Sequence, residues 1–292
     1  MGSFHPESPA RLVAIEDQLI ASGQYDLLQH HEAPRASREQ LARVHRQHYL
    51  DKIAAVSPRE GLAYLDPDTA MNPFTLEAAL RAAGAAVLAT DLVINGKAEN
   101  AFCNIRPPGH HATRDHAMGF CIFNNVAVGV AHALDAHGLE RVAIADFDVH
   151  HGNGTEDIFA SDPRVMLCST FQHPFYPHCG ADSGGDRIIN VPLPAGTDGT
   201  GFQAAVRQRW LPALDAFRPQ MLFISAGFDA HLEDDLAGLA LVEADYDWVT
   251  RQLKAVAQRW GEGRMVSVLE GGYALGALAR SAVAHIKALS GL

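Results

Sequence analysis

Cysteine is scarce in this sequence: Cys103, Cys121, Cys168 and Cys179 are the four in 292 residues, and no two form a C-x-x-C pair. That scatter excludes a thiolate zinc site or a dithiol redox motif, and it fits a reducing cytoplasm. Long apolar runs are missing as well. None approaches the ~18 residues that cross a bilayer, and Met1-Gly2-Ser3-Phe4-His5-Pro6 lacks the basic and apolar regions of a secretion signal. A soluble, unexported protein with no membrane contact is expected. Basic residues are also few, 23 Lys and Arg against 34 Asp and Glu, for a formal charge of −11. With no Lys/Arg block to follow a phosphate backbone, direct nucleic-acid binding is not expected. An acidic surface favours cationic ligands, although acidity serves solubility alone in many enzymes. No repeat, linker or low-complexity segment divides the chain, and 48% hydrophobic content can bury a large core. Residues 1–292 therefore read as one domain.

What is present is an alternation of two hydrophobic periods. Ser8-Pro9 has the form of an N-cap with proline at the first helical position, and Leu12, Ile15, Leu19 and Ile20 follow as a helical stripe ending near Gly23. A second helix is predicted from Ser37, with Gln40 completing a capping box, and a third over Thr75 to Ile94. From residue 100 onward, short apolar strands are predicted at 101–105, 141–147, 165–169, 221–226 and 265–269. Helices are predicted around 119–136, 201–217, 243–260 and 275–289. This is the pattern of an α/β fold, a central, mostly parallel sheet with helices on both faces. Polar clusters begin where the strands end, at Arg106 to His111, Asp146 to Gly154, Gly227-Phe228-Asp229 and Glu270 to Tyr273. Ligands of open α/β sheets bind beyond the carboxyl ends of the strands, so these segments should converge on one site.

Several of these residues carry chemistry. Strand alternation puts Asp146, Asp148 and His150 on one side, and D-x-H offers Zn²⁺ an oxygen and a nitrogen from one element. An isolated D-x-H is more often a loop cap, but here it lies within the dense polar run Asp146 to Gly154. A third ligand is available in Gly227 to Asp235, where spacing leaves Asp229, His231, Glu233, Asp234 and Asp235 all open. His110-His111, approached through Pro107-Pro108-Gly109, offers a general base and an electrostatic partner. Tyr273, after two glycines, offers a phenol to a developing oxyanion, against the plainer role of packing at a helix start. Cys121 and Cys168 read as core residues and Cys179 as exposed, none of them catalytic.

Five motifs occur together: Pro107 to His111 (P-P-G-H-H), Met118 to Asn125 (M-G-F-C-I-F-N-N), Asp146 to Thr155 (D-F-D-V-H-H-G-N-G-T), Ser225 to Ala230 (S-A-G-F-D-A) and Leu269 to Tyr273 (L-E-G-G-Y). In order and spacing they resemble the histone deacetylase family, and the resemblance runs from His5-Pro6-Glu7 nearly to the C-terminus. It implies an arginase-like α/β fold and one Zn²⁺ that activates water against an amide carbonyl. Carried over, the ligands are Asp148, His150 and Asp234. Asp234 is chosen as the residue five after Asp229 of G-F-D, with Asp235 where relatives usually have proline. His110 resembles the histidine held by a buried aspartate, Asp146, and His111 the general base, with Asn153 in place of an aspartate, as in the class II branch. Tyr273 matches the oxyanion-stabilising tyrosine, and Gly119, Phe120 and Tyr176 match the walls of an acyl-lysine channel. A K⁺ ion beneath the zinc is implied on backbone oxygens of Asp146, Asp148 and His150 and on Ser169. The implied reaction is hydrolysis of an acetylated lysine or a similar acylated amine.

The resemblance has its rivals. A dinuclear Mn²⁺ ureohydrolase would need a further carboxylate where Gly152 stands. An acetylpolyamine specialist of one branch would carry a glutamate where Leu236 stands. A non-catalytic module that only binds acylated ligands would have lost a ligand, the base or the tyrosine. Relatives also begin with a further strand before H-P-E, whereas this sequence has four residues there. The sheet edge so exposed is expected to be covered by further chain or by a second copy in a homo-oligomer.

Overall fold

A computed structural model of the chain describes residues 1–2 and 5–292; Ser3 and Phe4, part of the N-terminal stretch searched for a leader, lie outside the described residues. Six strands, β3 (Asn100–Cys103), β4 (Val142–Asp146), β5 (Val165–Gln172), β6 (Ile188–Leu193), β7 (Met221–Ala226) and β8 (Met265–Leu269), form one sheet. Their order is β3-β8-β7-β4-β5-β6, every pair parallel. The order reverses direction between β4 and its neighbours, and there the loops after the central strands diverge to open a crevice. A two-stranded antiparallel hairpin, β1 (Ala63–Asp66) with β2 (Thr69–Met71), stands apart from this sheet.

Strand alternation divides the core in two. Val142 and Ile144 of β4 and Met221 and Phe223 of β7 face one cluster, built with α4 (Thr75–Ile94) and α5 (Asn125–Asp135). Ala143, Ala145, Leu222 and Ile224 face the other, built with α1 (Ala10–Ala21), α9 (Glu243–Trp260) and α10 (Leu275–Ser290). Burial on both faces is why these strands read as continuous apolar runs.

The predicted helix from Ser37 forms with its complete capping box but is short, Arg38–Ala42 (α2). At α1, Pro9 rather than Ser8 is the capping position, and no side chain caps it. The predicted helix over 119–136 begins only at Asn125, because the Asn124 side chain caps it and Gly119 and Phe120 take φ of 55° and 67° in a turn. The helix predicted over 201–217 is divided into Gly199–Ala205 (α7) and Leu211–Phe217 (α8) by a π-helical turn over Val206–Trp210. Two further helices, Gln47–Val56 (α3) and Asn153–Phe159 (α6), complete the set. No described helix is long and apolar enough to cross a membrane. All four cysteines are unpaired, three buried and Cys179 exposed.

Candidate active site

The strand-end segments meet. Beyond β4 the chain turns tightly, with the Asp148 N–H donating to Asp146 Oδ1 (3.1 Å) and the His150 N–H to Asp148 Oδ1 (2.9 Å). Beyond β7, Asp229 accepts the Val149 N–H on Oδ1 (3.0 Å) and aims Oδ2 at His150 Nδ1 (3.3 Å). Ligand atoms of Asp148, His150 and Asp229 all lie within 4.8 Å of one another. Two of the three side chains are fully buried, and Asp229 Oδ2 has no hydrogen-bond partner. A buried carboxylate oxygen with no hydrogen bond, facing only the edge of the His150 ring, is costly unless a positive charge lies beside it. Burial and the neighbouring Asp148 push the Asp229 carboxyl up to about 6. His150 is held up to about 10: burial opposes its charge, but the Asp148 and Asp229 carboxylates overcome that. The spot favours positive charge, and two carboxylates with one imidazole suit Zn²⁺. Glycine backbone makes the room, since a Cβ on Gly271 would collide with Asp229 Oδ2 and one on Gly227 with Asp148 Oδ2.

Asp234, assigned to this group from the sequence, is near enough that its charge helps to push the Asp229 carboxyl up. Its Oδ2 accepts the N–H groups of Tyr273 (2.6 Å) and Ala274 (3.1 Å), and its Oδ1 accepts that of Leu236 (3.1 Å). A carboxylate offers about four acceptor sites, so these three donors clasp the Tyr273 loop and still leave a lone pair on Oδ1 for a metal. Asp235 is exposed and belongs to neither group.

His110 and His111 sit side by side, ring centroids 4.1 Å apart, with opposite environments. His110 Nδ1 lies 2.9 Å from Asp146 Oδ2. Burial disfavours its charge, yet Asp146 and Asp148 raise its pKa well above the ordinary value. His111 is pushed well below by burial first, then by His110 and His150. Its Nδ1 lies 2.7 Å from Asn153 Oδ1, an acceptor, so Nδ1 carries the proton and Nε2 keeps a free lone pair. One imidazole is thus kept charged and its neighbour neutral, the division of labour that acid–base chemistry needs.

Above them opens a cavity of about 180 Å³ lined by Gly119, Phe120, Tyr176, Leu236 and Tyr273, with His110, His111, Asp148 and His150 at its base. Gly119 rests on the His111 ring, where a Cβ would collide. All three channel residues expected from the sequence line this cavity, as does Tyr273, and Phe120 meets Tyr273 edge-on at 5.9 Å. Ser169, expected in a K⁺ site, is buried on β5 in register with Asp146, its Oγ 3.3 Å from His151 Nδ1.

The sequence of the histone deacetylase domain, as a family model, matches residues 5–289. The chain belongs to the histone deacetylase family. It is 41% identical over 295 residues to the histone deacetylase-like amidohydrolase of Pseudomonas aeruginosa, covering 99% of this chain and 77% of that protein. It is 40% identical to a probable deacetylase of Archaeoglobus fulgidus, covering 98% of this chain and 82% of that protein. The crystal structure of the HDA15 HD domain superposes with a TM-score of 0.93 at 36% identity, covering all of this chain and 84% of that one. Its arginase/deacetylase-like fold is the one expected from the motifs.

Some residues that build this deacetylase-family site were not singled out in the sequence. Arg11, fully buried, donates from Nε to Gly272 O (2.7 Å), also bonds Glu270 O, and holds its guanidinium 5.0 Å over the Tyr273 ring. Glu7, equally buried, pairs with Arg106 at 2.6 Å and lies 3.6 Å from Arg11. Glu270 accepts the N–H groups of Gly109 (2.6 Å) and His110 (3.1 Å), tying the histidine loop to the tyrosine loop. Asp68, in the β1–β2 turn, accepts the Gly119 N–H (3.1 Å) at the cavity mouth. Glu7 stands just before α1 and Arg11 in its first turn, and their spacing of four residues marks neither as buried.

Proposed function

We propose that residues 1–292 form a single catalytic domain that hydrolyses the amide of an acylated primary amine, acetyl-lysine above all, with one Zn²⁺ held by Asp148, His150 and Asp234 and with Asp229 beside it. The observation that carries this reading is the unpartnered Asp229 Oδ2 beside Asp148 and His150 at the base of a narrow, mostly apolar cavity. When bound there, the metal supplies Lewis acidity, polarising a carbonyl and making water acidic. The rest falls to the chain. Phe120, Tyr176 and Leu236 enclose an aliphatic stem and exclude water around it. His111, neutral and with Nε2 free, takes the proton of the attacking water as oxygen bonds to the carbonyl carbon. The Tyr273 hydroxyl, held neutral because burial raises its pKa well above the ordinary value, donates to the oxygen that becomes anionic. When the C–N bond breaks, the imidazolium of His111 returns the proton to the leaving amine, and the products are a free amine and a carboxylate. His110, kept charged by Asp146, stabilises the negative charge that builds nearby.

We further propose that K⁺ binds on the backbone oxygens of Asp146, Asp148 and His150 with Ser169, supported by the β4–β5 register that sets Ser169 beside Asp146. The acidic composition and unpaired cysteines support a cytoplasmic enzyme acting on small or peptidic amines.

The test is hydrolysis of a fluorogenic acetyl-lysine peptide and of N-acetylputrescine, each with metal-free and Zn²⁺-reconstituted protein. Zinc-dependent turnover of the peptide at the higher rate is expected. Faster turnover of N-acetylputrescine would make it a polyamine deacetylase. No turnover of either with zinc bound would overturn the proposal in favour of a binding module.

A further inference from the structure

A second cluster of metal-ligating side chains lies away from the catalytic cavity. Asp91 stands on α4, His132 in the last turn of α5, and His137 just beyond that helix. The Asn124–Asn125 end of α5 supports the histidine loop, Asn125 donating to Pro107 O at 3.0 Å. His132 is at the other end, roughly 10 Å along the axis at 1.5 Å per residue.

Asp91 Oδ1 lies 2.8 Å from His132 Nε2 and 2.6 Å from His137 Nε2. The two rings stand 5.2 Å apart and nearly perpendicular, so both nitrogens aim at one point from different backbone positions. The side chains are 10%, 19% and 42% exposed for His132, His137 and Asp91, which leaves the point shielded on one side and open to solvent on the other. The C-terminal end of α5 adds its negative dipole. Two imidazoles and a carboxylate with an open fourth position are a ligand set for Zn²⁺ and similar divalent ions. We propose that Asp91, His132 and His137 form a second, non-catalytic divalent-metal site that takes Zn²⁺ and fastens α4 to the end of α5.

Two features shape its affinity. The ligand atoms stand at hydrogen-bond separations, and a tetrahedral ion with bonds near 2.0–2.1 Å needs them about 3.3 Å apart. Asp91, the most exposed of the three, must therefore move outward by roughly half an ångström, which a surface rotamer adjustment provides. The second feature is Arg43, whose Nη1 lies 2.9 Å from His132 Nδ1. A guanidinium only donates, so His132 Nδ1 is an acceptor and Nε2 carries the ring proton. Metal on Nε2 requires that proton on Nδ1 instead, so Arg43 must release the ring and turn to Glu39, which it already contacts at 3.3 Å. Arg43 is a built-in competitor for the ion.

The test counts Zn²⁺ bound to untagged, metal-stripped protein by equilibrium dialysis with elemental analysis. His137→Ala is expected to bind one equivalent fewer than the wild type, and equal counts would overturn the proposal. Asp91→Asn, at the most exposed ligand, should lose the same equivalent; if it does not while circular dichroism shows both variants folded, the ligand set is wrong. Arg43→Ala should bind that equivalent more tightly than wild type, and weaker binding would remove His132 Nε2 as a ligand. Because the comparison is a difference between variants, it holds whether or not the catalytic site fills.

Discussion

Replacing Asp234 by alanine tests two roles at once, as a metal ligand and as the clasp of the Tyr273 loop. The substitution removes the acceptor of three backbone N–H groups, at Tyr273, Ala274 and Leu236. Hydrogen bonds to a charged group contribute about 1.5–3 kcal/mol each, and stranding the donors is the costly part. Asp234 is only 4% exposed, but the cavity left behind admits water that re-satisfies some donors, so a net loss of ~3 kcal/mol is expected. For a domain of this size that lowers the melting temperature by roughly 5 °C. With the Tyr273 loop released, kcat should fall about 10²-fold, the loss associated with one oxyanion donor. Zinc content should fall well below the wild-type value. Asp229→Ala should keep more zinc than Asp234→Ala, with its Tyr273 loop still clasped by Asp234. The assays are differential scanning fluorimetry, steady-state kinetics on an acetyl-lysine peptide, and elemental analysis of both proteins. Retention of zinc in Asp234→Ala with loss from Asp229→Ala would refute the assignment of ligands. Asp234→Asn, whose amide oxygen can still accept from Tyr273 and Ala274, should fall between wild type and alanine in stability.

Three further outcomes are expected. Tyr273→Phe should lower kcat roughly 10²-fold with little change in KM; an unchanged kcat removes the phenol from the reaction. His111→Ala should lower kcat by about 10²–10⁴-fold while zinc content holds, and steady-state rates beside elemental analysis check it. Acid should destabilise the fold through two buried histidines whose pKa burial lowers, His45 to about 4 and His285 to about 3. Both stay neutral when folded, so below an unfolded pKa of ~6.5 the unfolded chain binds protons that the folded one does not. Stability is unaffected by them above that pH and falls by up to ~1.4 kcal/mol per pH unit per histidine toward pH 4. Urea midpoints at pH 7.5, 6.0 and 5.0 should show a shallower decline for His285→Gln than for wild type; parallel declines would exclude His285 from the effect.

The sheet was legible because its central strands are buried on both faces, so Met221–Ala226 and Met265–Leu269 read as apolar runs broken only by Ser225 and Ser267. Strand β6 was missed because an edge strand is half exposed and carries Pro192, and the β1–β2 hairpin because three- and four-residue strands carry too little pattern. His110, His111, Asp148, His150 and Tyr273 were legible from their places at strand ends. The choice between Asp229 and Asp234 was not legible from spacing, since both stand in one acidic loop and only the family resemblance points to Asp234. Arg11 and Glu7 were hidden for a related reason: nothing local tells a buried charge from a solvated one in the same segment.

The crossing of loops at the cavity base also bears on how the chain reaches its native state. Gly109 bonds Glu270 across 161 positions, Gly271 bonds Asp148 across 123, and Val149 bonds Asp229 across 80. Such long-range closures are slow to form and come only after the intervening parallel strands are aligned. A nascent or half-collapsed chain therefore holds the acidic side chains of the centre apart, in water, and cannot capture an ion with them. Metal uptake at that centre should trail the recovery of sheet structure during refolding and serve as a late marker of completed folding.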